Sequence, residues 1–248
     1  MSLPSALLPL FVAIIAFLYS SVGFGGATGY LAAMSLFNLP PQVMASTALT
    51  LNILVASISF ISFARAGHLS RPLLWPFLVT SVPAAFLGGY FKLTSPTYFI
   101  LLYAVLTFVA IRLLFFSPQD SDAAPLRPMP LPAALLAGLG IGLLSGMVGI
   151  GGGIFISPVI IFARWGASKQ ASAVAAAFIV LNSASGLVGR ILGGAFVFDA
   201  FGLSLLPLGL LGALAGSWFG ARRLNSLHLR RALGVVMVIV VSNFWFHF

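Results

Sequence analysis

A glycine-rich break occurs twice in this chain, each time inside a long apolar stretch. Ser21-Val22-Gly23-Phe24-Gly25-Gly26-Ala27 in the first half is answered by Met147-Val148-Gly149-Ile150-Gly151-Gly152-Gly153 in the second. Such a run frays a helix, and at membrane depth the exposed backbone must be satisfied or face a water-filled cavity. Glycine breaks in matching places of two halves are how membrane carriers build binding sites from discontinuous helices.

The solvent implied by the composition is lipid. Of 248 residues 60% are hydrophobic and only 6% charged, against roughly 25% charged in soluble domains. Apolar blocks at Pro4–Asn38, Met44–Phe63, Leu73–Phe91, Tyr98–Phe116, Leu131–Phe162, Ala171–Phe196, Phe201–Phe219 and Ala232–Phe246 fill nearly the whole length. About 20 such residues cross a bilayer core of roughly 30 Å. The expected fold is all-α, a polytopic helical membrane protein. Leu3–Tyr19 lacks a basic n-region and runs into the first glycine motif, so it reads as mature structure rather than a cleaved leader.

The formal charge of +9 would point to nucleic acid in a soluble protein. Here the cations are spread over short loops, where they orient membrane proteins, and no nucleic-acid partner is expected. Cysteine is absent, which excludes disulfides and thiol chemistry.

A proline-rich stretch from Ser117 to Pro128 carries two of the three acids. It divides the chain into a first repeat, 1–116, a cytoplasmic linker, 117–130, and a second repeat, 131–248. Ala45-Ser46 matches Ala171-Ser172, and Gly67 matches Gly194. Leu87-Gly88-Gly89-Tyr90-Phe91 matches Ala215-Gly216-Ser217-Trp218-Phe219, all about 127 residues apart, as a duplicated unit requires.

Charge decides between parallel and inverted repeats. If each glycine block crosses once, bent, the cations divide almost evenly between the two sides. If each block enters and returns as a broken hairpin, Arg65, Arg71, Arg112, Arg127, Arg164, Lys169, Arg222, Arg223, Arg230 and Arg231 share one side, leaving only Lys92 and Arg190 opposite. That is the cleaner positive-inside pattern. The expected architecture is two inverted repeats, each a glycine-broken helical hairpin plus three transmembrane helices. Both termini and Gln42 then lie outside, and Ser168 lies inside.

A short helix restarting at Gly26, and another at Gly152, would aim free N–H groups at the midplane. Two helix N-termini meeting there make an anion site without buried charge. The expected binding residues are Gly23, Gly25, Gly26 and Thr28, with Gly149, Gly151, Gly152 and Gly153. The second helix of each half adds Thr47 and Asn52, and Asn182 and Ser183. Arg65 and Arg190 end these helices, where they can attract an anion at the two mouths. Isolated pairs such as Gly138 with Gly142, Gly212 with Gly216, and Gly25 with Gly29 have the spacing of close helix packing.

Absences narrow the chemistry. No acid sits at the centre of an expected span, so a carboxylate proton relay has no candidate. No histidines have metal-ligand spacing, and H-E-x-x-H and G-x-S-x-G are missing. The expectation is no enzyme, no metal and no cofactor.

Gly146-Met147-Val148-Gly149-Ile150-Gly151-Gly152-Gly153 followed by Pro158, then Lys169-Gln170-Ala171, resembles the signature of the TauE/SafE family of sulfite exporters. Gly23-Phe24-Gly25-Gly26 followed by Pro40 is similar to the family's second copy. Leu211-Gly212-Ala213-Leu214-Ala215-Gly216, with Arg222-Arg223-Leu224 and Leu229-Arg230-Arg231, is similar to its closing segment. The resemblance spans essentially the whole chain. It implies a bacterial inner-membrane carrier for sulfite, sulfonates or related organic acids. Two departures make the half-sites unequal, which allows a larger, asymmetric substrate: Ala171-Ser172-Ala173-Val174 has no threonine, and Ala27 stands where a third glycine is usual.

The leading expectation is a secondary transporter, an exporter of small sulfur-containing or organic anions, working by alternating access at a midplane site. An anion channel and a non-transporting membrane subunit are the alternatives. Its partners are a small anion and the bilayer, with a homodimer compatible with the sequence.

Overall fold

The computed structural model describes residues 3–21, 25–37, 39–115, 125–197 and 200–220, with 238, 241 and 242 beyond them. The described residues form helices and connecting turns, without strands. The helices are α1 (Leu3–Ser21), α2 (Ala27–Leu36), α3 (Pro41–Arg65), α4 (Arg71–Tyr90), α5 (Ser95–Phe115), α6 (Leu131–Val148), α7 (Gly153–Phe162), α8 (Ser168–Leu192) and α9 (Ala200–Gly220). Among them α3, α4, α5, α6 and α8 are each long and apolar enough to cross a membrane. The chain is a polytopic helical membrane protein.

Helix ends fall where local chemistry puts them. Prolines open α3, α4 and α6 in the first turn, where a missing N–H costs nothing. Matching glycines close α3 and α8. Gly67 and Gly194 adopt φ of 77° and 64°, and the next N–H reaches back to the helix, from His68 to the Phe63 carbonyl at 3.1 Å and from Ala195 to the Arg190 carbonyl at 2.9 Å. This is the Schellman arrangement, used identically at two positions that the sequence pairs.

Both glycine-broken segments double back. Tyr19 on α1 hydrogen-bonds Thr28 on α2 at 2.8 Å, and further from the break Phe11 lies 6.4 Å from Phe37. In the second half, the Arg127 N–H before α6 donates to the Arg164 carbonyl after α7 at 2.7 Å. Entry and exit of that segment are therefore at the same end of the bundle.

The halves interlock. Helix α4 packs on α6 and α8, α9 packs on α1 and α3, and α3 crosses α8 at the centre. Glycine permits the close approaches. A Cβ on Gly138, Gly142 or Gly146 would strike the backbone of α4 at Phe77, Ser81 or Ala85, and one on Gly212 or Gly216 would strike α1 at Ala13 or Phe17. These isolated glycine pairs are packing stripes, as their spacing predicts. The Gly25–Gly29 pair divides its duties: Gly29 packs on Ile15 and Tyr19, whereas Gly25 faces Asn52.

Helices α3 and α8 run antiparallel, with Asn52 beside Ser183 and Leu49 beside Gly186. Gln42, at the start of α3, lines a cavity with Lys92, Arg190 and Ala195 at the far end of α8. The start of α4 instead meets the end of α7, where Phe77 and Trp165 have ring centroids 6.1 Å apart.

Candidate functional site

The two glycine breaks converge on one side chain. A Cβ placed on Gly25 would lie 2.8 Å from Asn52 Oδ1, and one on Gly151 would lie 2.6 Å from Asn52 Nδ2. Ile179 of α8 fills the other side, 3.1 Å from the first position and 3.0 Å from the second. Residues more than a hundred positions apart thus meet the oxygen and the nitrogen of one buried amide. Hydrogen in place of Cβ makes that approach possible.

Each helix restarts where the sequence predicts. Gly26 caps α2 with φ 91° and Gly152 caps α7 with φ 76°, both left-handed. No side chain caps either one, so first-turn N–H groups lack the acceptor that Ser, Thr, Asp or Asn would supply. Gly149, also left-handed, ends α6. A Cβ on Gly149 would press on Ala45, one on Gly152 on Phe178 and Ile141, and one on Gly153 on Ile179.

A cavity of about 10 Å³ lies at this junction, lined by Tyr19, Gly25, Gly26, Ala27, Thr28, Asn52, Ile150, Ile154 and Ile179. It has room for roughly one water, so this conformation is closed around its centre. The lining is lopsided: α2 presents its first turn and a hydroxyl, whereas the second break presents isoleucines. Asn52 is fully buried, its Oδ1 is without a hydrogen-bond partner among the described residues, and its Nδ2 reaches Ser183 Oγ only at 3.5 Å. Such a group costs about 1–3 kcal/mol unless something binds it.

The other expected site residues divide. Ser183 joins the cluster through Asn52 and Gly151. Thr28 joins it too, though its hydroxyl is engaged by Tyr19. Asn182 is buried but turned to its own helix, donating to the Phe178 carbonyl at 2.9 Å. Thr47 is buried and its hydroxyl is unpartnered among the described residues, yet it does not line the cavity. Gly23 lies outside the described residues. Arg65 is exposed at the last turn of α3. Among the described residues no three His, Cys, Asp or Glu gather as metal ligands.

The family described as "Sulfite exporter TauE/SafE" matches residues 8–244, and so spans both glycine breaks. The chain belongs to the TauE/SafE family. It is 35% identical over 232 residues, 91% of this chain and 92% of the relative, to a Sinorhizobium fredii protein named "Probable membrane transporter protein y4hK". No solved structure matches it. Membership of this family makes the chain a multi-pass membrane transporter, with a small molecule as its substrate.

This TauE/SafE chain also uses two residues whose roles sequence reading misses. The last four carbonyls of α6 have no partner within the helix. Here Ser145 O accepts from Gly149 N–H at 2.8 Å. Gly146 O and Met147 O accept from Arg190 Nη2 at 3.0 and 2.7 Å, and Val148 O accepts from the Tyr98 hydroxyl at 3.0 Å. Arg190 is only 5% exposed, so it clamps the tip of the second hairpin in addition to lining a mouth. Its counterpart in name, Arg65, has no such role. The difference arises because Arg190 sits before the end of α8, facing α6, whereas Arg65 is the last residue of its helix. An arginine inside an apolar block, before the end of its helix, was the available signal. Tyr98 gave none.

Proposed function

We propose that this protein is a secondary transporter, an exporter of small sulfur-containing or organic oxyanions, working by alternating access around the cavity between the two hairpin tips. The observation that carries this reading is the convergence of Gly25 and Gly151 on Asn52 beside an uncapped helix N-terminus. An anion there would take N–H groups from the first turn of α2, the Asn52 Nδ2–H, released from its 3.5 Å contact with Ser183, and the Thr28 and Ser183 hydroxyls. A helix N-terminus contributes about 0.3–2 kcal/mol, and a hydrogen bond to a charged group about 1.5–3 kcal/mol. Set against the cost of association, terms of this size leave binding weak. A carrier needs such a site, tight enough to load and weak enough to release.

Under this reading residues 1–116 and 131–248 are inverted repeats joined by a cytoplasmic linker, in a bacterial inner membrane with both termini periplasmic. The antiparallel run of α3 and α8 and the doubled-back hairpins support it. The closed centre favours a carrier over a channel, which would need a continuous path. The unequal lining of the two tips favours an asymmetric substrate, such as a sulfonate, over bare sulfite.

Counterflow in proteoliposomes tests the proposal, with sulfite, thiosulfate, taurine, sulfoacetate, short carboxylates and chloride loaded in turn. Accumulation of labelled anion with one class is the expected result. Single-channel currents without counterflow would favour the channel. Silence across the panel from monodisperse protein would overturn transport of these anions.

A further inference from the structure

A second cavity lies at the end of the bundle where α3 begins, beside the end of α6 at the second hairpin. It measures about 20 Å³, and its lining includes Gln42, Lys92, Tyr98, Met147, Arg190 and Ala195. Three independent sources of positive potential meet there. Helix α3 opens on Pro40, which provides no side-chain cap, and Pro41, which has no N–H. The N–H groups of Gln42 and Val43 are therefore left for an outside acceptor, at the positive end of a helix of 25 residues. Lys92 is exposed at the rim. Arg190 forms the inner wall, 95% removed from solvent, and its Nε–H meets no acceptor among the described residues.

The Arg190 observation points to a ligand. Its Nη2 is occupied by the Gly146 and Met147 carbonyls, and the Tyr98 hydroxyl by Val148. The Nε–H is a buried donor without an acceptor among the described residues, on a charged side chain that lines the cavity, and such an unmade bond costs more than for a neutral donor. Lys92 and Arg190 are also the two cations that the positive-inside pattern leaves on the minority side, and the fold brings them to one place.

We infer that this cavity is a second anion-binding site, a vestibule for sulfonate-class or related oxyanions, formed by the first turn of α3, Lys92 and Arg190. It deepens the transport reading above by giving the substrate a station between bulk water and the central site. The exposed Lys92 is the movable wall: its rotation admits a headgroup larger than the closed cavity holds. Because Arg190 also holds the tip of the second hairpin, an anion bound here touches the element that would have to move.

The test needs no transport. The chain has no cysteine, so Gln42→Cys creates one thiol at the vestibule. In detergent, this thiol is reacted with 2-sulfonatoethyl and 2-(trimethylammonio)ethyl methanethiosulfonate, and the anion-to-cation rate ratio is divided by that of free 2-mercaptoethanol. A focused positive site should raise the normalised ratio by about tenfold. Added Lys92→Gln should lower it severalfold, Lys92→Arg should keep it, and sodium sulfoacetate or sulfate should slow the sulfonate reagent. A normalised ratio near one, unmoved by Lys92→Gln and without protection, overturns the vestibule. A raised ratio in protein that fails counterflow with every anion sinks the transport reading and leaves the vestibule standing. Active counterflow with a neutral ratio does the reverse.

Discussion

Asn52 and Asn182 look alike in the sequence, and the fold separates them. Asn52 lies between the two glycine breaks, with its Nδ2–H donor held only by a 3.5 Å contact to Ser183 Oγ. Asn182 spends its amide N–H on the helix it belongs to. Asn52→Ala should therefore raise the KM of counterflow about tenfold, the loss of one hydrogen bond to a charged ligand, while Asn182→Ala changes it less than threefold. Equal effects would place the site elsewhere. Arg190→Gln belongs to a different class. It strips two buried carbonyls at the end of α6 of their donor, at about 1–3 kcal/mol each. The expected result is a thermal midpoint in detergent several degrees lower, and Arg190→Lys, with a single ammonium in place of the fork, should recover only part of it. Legibility at this scale followed sequence distance. Gly26 and Gly152 could be named as restart points because glycine announces its conformation locally. The bond from Tyr98 to Val148 spans 50 positions, and nothing local to either residue encodes it.

The elements that matter are the hairpins and the glycine stripes that lock them to their neighbours. Their glycines do different jobs, and alanine and leucine tell these apart. Gly25 does not have a positive φ, so Gly25→Ala only pushes the Asn52 amide, 2.8 Å from the new methyl. Transport should fall, with a stability loss of about 1 kcal/mol, the low end for an extra methyl in a packed core. Gly151→Ala meets the same amide at φ 71°, and left-handed backbone adds about 1–2 kcal/mol, so both transport and thermal stability should drop. On the packing stripe, Gly142→Leu would drive a side chain into the Ser81 backbone and force α4 off α6, whereas Gly140, two residues away, has nothing within 4 Å of a Cβ. Gel filtration should show aggregated Gly142→Leu and monodisperse Gly140→Leu. If both elute alike, the close α4–α6 contact is not what holds the bundle. Small-residue spacing made this stripe readable in the sequence. Which glycine in a pair faces backbone, and which faces Asn52, was not, because that depends on the rotation of each helix against partners far along the chain.

At the scale of the whole molecule, one arrangement accounts for the charge pattern and the packing together. Arg127 and Arg164 meet at the mouth of the second hairpin, and the start of α4, which Arg71 opens, packs beside it through Phe77 and Trp165. Lys92 and Arg190 line the cavity at the opposite end with Gln42. If the cation-rich end faces the cytoplasm, as the distribution of Lys and Arg implies, Gln42 is periplasmic and Ser168, at the first turn of α8, is cytoplasmic. These residues open the matching helices of the two halves, so their sides report directly on whether the repeats are inverted. In intact cells, an impermeant maleimide should label Gln42→Cys and leave Ser168→Cys untouched until the membrane is permeabilised. Labelling of both from outside, or of neither, would make the repeats parallel and remove the reason for hairpins entering from opposite faces. The reversed pattern would keep the repeats inverted but turn the protein over, so that the vestibule at Lys92 would face the cytoplasm and take up substrate from within. For an exporter that is the loading side. The same two cysteines therefore decide whether the vestibule captures the anion at the start of its passage or holds it at the exit.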